Sequence, residues 1–140
     1  MVISLDKLIV ENLETLVDGI TKDAIRQIPS YREAPLRRTI ERVETWLEAL
    51  ATSIEKNEPE IMEHHLVMVA HERQEEGYAL SELHNIIQIS EYHLDTLIQN
   101  ITADQVEQNA LEALLKAVMG AARMVVSVNY VLLTGNKSVD

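Results

Sequence analysis

ADQVEQNALEALLKAVMGAARMVVSVNYVLLT, residues 103–134, crosses its whole length without a proline. Ala, Leu, Glu, Gln and Met, all strong helix formers, supply most of it. At its head, Thr102-Ala103-Asp104-Gln105 spells a capping box, in which the first and last side chains satisfy each other's free backbone N–H groups. Gly135 follows as the stop, because glycine adopts the left-handed conformation that ends helices. One long helix over residues 103–134 is therefore expected, and it sets the fold class. From Ala117 onward, Val118, Met119, Val125, Val126, Val128, Val131, Leu132 and Leu133 cover most of its circumference. A helix apolar on all sides is buried, either by its own core or by a partner. Lys116, Arg123, Ser127 and Asn129 interrupt the stretch, so it does not read as a membrane span.

Upstream, the breakers are few: proline at 29, 35 and 59, glycine at 19 and 77. No run alternates like a strand bounded by turn residues. Four further helices are expected, over residues 5–27, 35–55, 59–76 and 80–99. Leu5, Leu8, Ile9, Leu13, Leu16, Val17 and Ile20 mark the first at helical spacing, and Pro29 ends it. Pro35 suits the opening turn of the second, whose stripe is Leu36, Ile40, Val43, Leu47, Leu50, Ala51 and Ile54 with Trp46 beside it. Met62, Leu66, Val69 and Ala70 mark the third, closed by Gly77; Leu83, Ile86, Ile87, Leu94, Leu97 and Ile98 mark the fourth. The expectation is an all-α bundle of about five helices forming a single domain over residues 1–140.

Composition narrows the function. With 12 basic against 23 acidic residues in 140 the net charge is −11, which disfavours nucleic acid, whose binding depends on Lys and Arg neutralising phosphates. The same balance disfavours an anionic membrane surface. Cysteine is absent, so disulfides, thiolate metal sites and Cys nucleophiles are excluded. The opening MVISLDKLIV lacks the basic and apolar regions of a signal peptide, which makes the cytoplasm the expected address.

The five histidines, 64, 65, 71, 84 and 93, invite a metal, but neither E-x-x-H nor H-x-x-x-H occurs. His71-Glu72-Arg73-Gln74-Glu75 stops one residue type short of a zinc-protease motif. No metal and no cofactor are expected. His65 and His93 lie at the edges of apolar stripes and are the candidates for holding haem or another small molecule, although the chain has no Phe to build a haem pocket. Phosphotransfer on His64 or His71 is disfavoured by the Glu residues around each. No nucleophile motif or phosphate loop is present, so no catalysis is expected. Arg32, Arg37, Arg38 and Arg42 form one basic cluster, read either as a grip for an anion or as intrahelical pairs such as Arg37–Glu41.

Two segments, IPSYREAP at 28–35 and VAHERQEEGYALSEL at 69–83, together resemble the N-terminal sensor domain of RsbR-type bacterial signalling proteins, found in stressosomes. Arg73, Gly77, Tyr78 and Leu80, with Glu82 and Leu83, carry the turn in the second segment. The resemblance implies a haemless globin-like helical domain that acts as a homodimer and passes a signal to a protein partner. Longer relatives continue into an output module, and this sequence ends at Asp140 without one, as a stand-alone sensor or a fragment would. The expected function is a non-catalytic sensor or regulatory interaction module. Its dimer interface would draw on the first and last helices through Ile9, Leu13, Val118, Ala122, Val125, Val126 and Leu132. The alternative is a sensor for a small molecule or haem.

Overall fold

A computed structural model describes the backbone of residues 4–138 and the side chains of residues 4–130. Those residues form helices and no strand: α1 (Leu5–Glu11), α2 (Leu13–Gln27), α3 (Pro29–Glu33), α4 (Leu36–Lys56), α5 (Pro59–Glu75), α6 (Leu80–Ile101) and α7 (Gln105–Ser138). The all-α expectation holds. The five-helix count does not, because the expected first helix is cut at Asn12. There the side-chain Nδ2 donates to the Leu8 carbonyl at 2.9 Å, competing with the helical ladder. Pro29 does not merely end the segment; it opens the one-turn helix α3.

The two sharp helix ends share one construction. At Gly77 (φ +88°) the Tyr78 N–H reaches the Arg73 carbonyl at 2.9 Å and the Gly77 N–H reaches that of Gln74 at 3.1 Å. Asn57 (φ 52°) repeats this, with Glu58 N–H on the Ser53 carbonyl at 3.0 Å and Asn57 N–H on that of Ile54 at 3.2 Å. Both are Schellman ends, which need a left-handed residue and favour Gly or Asn. The start of α7 departs from expectation: Asp104 caps it, its Oδ1 accepting the Val106 N–H at 3.0 Å. Thr102 instead ends α6, and its hydroxyl is buried without a partner. Gly135 does not stop α7, which continues to Ser138.

The helices close a circuit: α2 packs on α4, α4 on α5, α5 on α7, α7 on α6, and α6 back on α2, with α1 laid against α4. Ile20, Leu47, Leu50, Leu94, Ile98, Leu115 and Met119 fill its interior. The buried face of α4 runs through Thr39, Val43, Trp46, Leu47 and Leu50, leaving Leu36 and Ile40 of the expected stripe exposed. Arg38 and Arg42, in the first turns of α4, are tied to α5 through Glu72. On α7 the buried residues are Leu111, Leu115, Met119, Ala122, Val126 and Tyr130, one face only. The opposite face, with Val106, Leu114, Met124 and Val128, is left uncovered by the protomer. Among the described residues, no helix is long and apolar enough to cross a membrane.

Candidate functional site

A cavity of about 360 Å³ lies where α4 and α5 part above α6 and α7. Its floor is apolar, made by Leu83 and Ile87 of α6 and Val126 of α7. Its mouth is charged, with Arg38, Glu41 and Glu72 exposed. Between floor and mouth stand Trp46, His65, Arg42 and Arg73. The volume is at the lower end of the range for small-molecule pockets, and an apolar body with a few converging polar groups is their usual make-up.

Arg73 is the least ordinary of these groups. Its side chain is only 5% exposed, although nothing obliges a helix to bury a guanidinium at that position. The spacing explains the placement: Met62, Leu66 and Ala70 form the buried face of α5, and the next position on that face is Arg73. Its guanidinium lies 5.5 Å from the centre of the Tyr78 ring, a cation–π arrangement. Tyr31 meets Tyr78 edge to face at 5.5 Å, and the Tyr130 hydroxyl donates to the Tyr78 carbonyl at 3.0 Å. Residues 28–35 and 69–83, separate in sequence, therefore meet in one cluster around Arg73. Burial raises the Tyr31 pKa, and the Arg73 charge opposes it.

Two carboxylates hold the arginines in place. Arg42 Nη2 donates to Glu72 at 3.0 Å and to Glu76 at 2.8 Å. Arg73 Nη1 reaches Glu76 at 3.2 Å, and Arg38 Nη2 reaches it at 2.9 Å. Burial alone would raise the Glu76 pKa; the Arg42 hydrogen bond and the Arg42, Arg73 and Arg38 charges outweigh it and lower the value below 4.5. The pairing is incomplete. Arg42 Nη1, Arg73 Nε and His65 Nε2 are buried and have no hydrogen-bond partner. An unsatisfied buried polar group costs about 1–3 kcal/mol, more when charged, and all three of these side chains line the one cavity. His65 stacks on Trp46 with ring centres 6.3 Å apart, while the indole N–H is already donated to Ser90 at 3.1 Å. Burial, and then the Arg73 charge, lower the His65 pKa below 6.5.

Of the two histidines singled out from the sequence, His65 faces the cavity and His93 does not. His93 Nε2 is held by Asp23 at 2.6 Å across α2 and α6, and its ring lies so close to Gly19 that a Cβ there would sit 2.8 Å from it. Among the described residues no three His, Asp or Glu side chains come together as a metal site would require. The basic cluster divides by role. Arg32 binds the Ile25 and Arg26 carbonyls at the end of α2, at 3.0 and 2.9 Å, and Arg37 pairs loosely with Glu41 at 3.7 Å. Arg38 and Arg42 belong to the cavity.

The residues singled out for a dimer interface lie in three settings. Ile9, Ala122 and Val126 are fully buried within the protomer itself. Leu13, Val118 and Val125 are partly buried against its core. The side chain of Leu132 lies outside the described residues. No known protein family matches the chain, and no curated protein or solved structure does so either.

Proposed function

We propose that this protein is a non-catalytic sensor module of the RsbR type, and that its signal is a small molecule taken into the cavity between α4 and α5. The observation that carries the reading is one apolar-floored cavity lined by Arg42, Arg73 and His65, each of which carries a buried nitrogen without a hydrogen-bond partner. Tyr31 and Arg73, one from each of the two segments that carry the RsbR resemblance, both line it.

A second observation favours a homodimer. The outward positions of α7, Val106, Ala110, Ala113, Ala117, Gly120 and Met124, are all exposed and all apolar or small. They alternate steps of four and three residues, the spacing of a coiled-coil seam. Val126 lines the cavity from the opposite side of the same helix. A ligand pressing on Val126 therefore acts on the helix that presents the seam, and small helix shifts at an interface are a recognised form of switching.

A thermal-shift survey of small organic molecules tests the binding role. A ligand that binds only the folded state raises the melting temperature, by about 2.7 kcal/mol of added stability at a hundredfold excess over Kd. The expected result is a set of stabilising compounds whose effect disappears in Val69→Phe, which fills the cavity from α5 while keeping every charge. Stabilisation that persists in Val69→Phe would contradict the assignment.

A further inference from the structure

We infer that the cavity is selective for an organic monoanion, a single carboxylate on a compact apolar body, with the carboxylate on Arg42 Nη1 and Arg73 Nε. This rests on reading the cavity as the signal-receiving site and adds the chemistry of what enters it.

The charge count favours a single negative charge. Three guanidinium groups, Arg38, Arg42 and Arg73, share two carboxylates, Glu72 and Glu76. Glu41 at the mouth is matched by Arg37. Glu82, outside the cavity lining, adds a carboxylate with a buried, unpartnered Oε2 beside Tyr130 and Arg73. Among the cavity side chains and their ion-pair partners one positive charge is left over. A monoanion neutralises it; a dianion replaces it with a buried negative charge, and an ammonium group adds to it. The unpaired donors point to the same class. Arg42 and Arg73 each have one nitrogen engaged by Glu76, which fixes the guanidinium, and each keeps another nitrogen buried and free. Arg73 is 4% exposed, so no bulk water serves it. Charge-assisted hydrogen bonds from guanidinium to carboxylate are the strong kind.

The rest of the cavity suits a hydrocarbon body. Trp46, Ile87 and Val126 offer apolar surface below the arginines. At about 360 Å³ the cavity is of a size that takes a small organic molecule. His65 Nε2, unpaired and on the same wall, adds one point for a polar substituent on that body.

The test is calorimetric titration of the full chain with four probes: 4-phenylbutyrate, its neutral amide 4-phenylbutyramide, 4-phenylbutylamine and inorganic phosphate. The expected order is phenylbutyrate first, the amide about tenfold weaker or more, and no detectable amine or phosphate. Val69→Phe should weaken phenylbutyrate at least about tenfold with an unchanged circular dichroism spectrum. Arg73→Gln, if folded, should bring carboxylate and amide to similar affinity. Equal or tighter binding of the amide overturns the monoanion assignment and leaves the cavity standing as a small-molecule site. A preference for amine or phosphate overturns it equally, as does the absence of binding by any probe. Unchanged phenylbutyrate affinity in Val69→Phe places the site elsewhere and overturns both this inference and the reading on which it rests.

Discussion

His65 shows how much one side chain's surroundings decide. Its neighbour His64 is exposed, while His65 is turned against Trp46 with one ring nitrogen sealed and unpaired. Burial, reinforced by Arg73, lowers its pKa below 6.5. The unfolded chain takes up a proton near 6.5 that the folded chain refuses, so this contribution to stability is whole above 6.5. It is lost as pH falls through 6.5 towards the lower folded value. Urea midpoints at pH 7.5 and 5.5 should therefore fall further for the wild type than for His65→Gln; equal falls would show that His65 is not held neutral. From sequence, His65 was legible as an inward candidate because it adjoins Leu66 on the stripe. Arg73 was legible only as part of the turn between residues 73 and 83. The signal for its burial was present in the spacing of Met62, Leu66 and Ala70, but a charged residue at the next core position reads as the stripe's end. Glu72, Glu76 and Tyr78, all near it in sequence, partner the buried guanidinium, while Tyr31 of α3, packed on Tyr78, and Arg42 of α4, bound to the same two carboxylates, are long-range additions not written in local sequence.

At the scale of elements, periodicity located the helices and local polar chemistry moved their ends. Asn12 and Asp104 both act through side chains that bond nearby backbone, which is why one long helix became α1 and α2 and why α7 starts two residues late. The cap assignment is open to a direct contrast. Asp104→Ala should cost about 1 kcal/mol, the usual loss for an N-cap. Thr102→Val should be neutral or stabilising, since it removes a buried hydroxyl with no partner. Chemical denaturation of the two variants decides it, and the opposite order would restore the cap to Thr102. Most of the face expected of α4 is buried, through Val43, Trp46, Leu47, Leu50 and Ala51, and only Leu36 and Ile40 at its start are exposed. Helical spacing identifies a stripe without saying where along it the covering helices begin, and the first turns of α4 are instead tied to Glu72 and Glu76 through Arg38 and Arg42.

Across the whole molecule, the helices of the circuit bury one face of α7 and leave the other bare. Of the residues expected to leave the helix buried on all sides, Met119 and Val126 are buried, Val118 and Val125 partly so and Val128 exposed, while the side chains of Val131, Leu132 and Leu133 lie outside the described residues. A second copy, meeting the first along Ala110, Ala113, Ala117, Gly120 and Met124, would cover the bare face. Ala117→Glu puts a charge at the middle of that seam without touching the core, so light scattering should give a dimer for the wild type and a folded monomer for the variant. A dimer in both would exclude this seam.

The binding role can be read most directly by native mass spectrometry of the untagged protein as purified, beside Val69→Phe prepared in the same way. The account predicts a protomer that carries additional mass of small-molecule size, and a Val69→Phe protomer of bare mass. Bare protomers in both, remaining bare when 4-phenylbutyrate and its amide are added, would contradict the claim that this cavity receives a ligand.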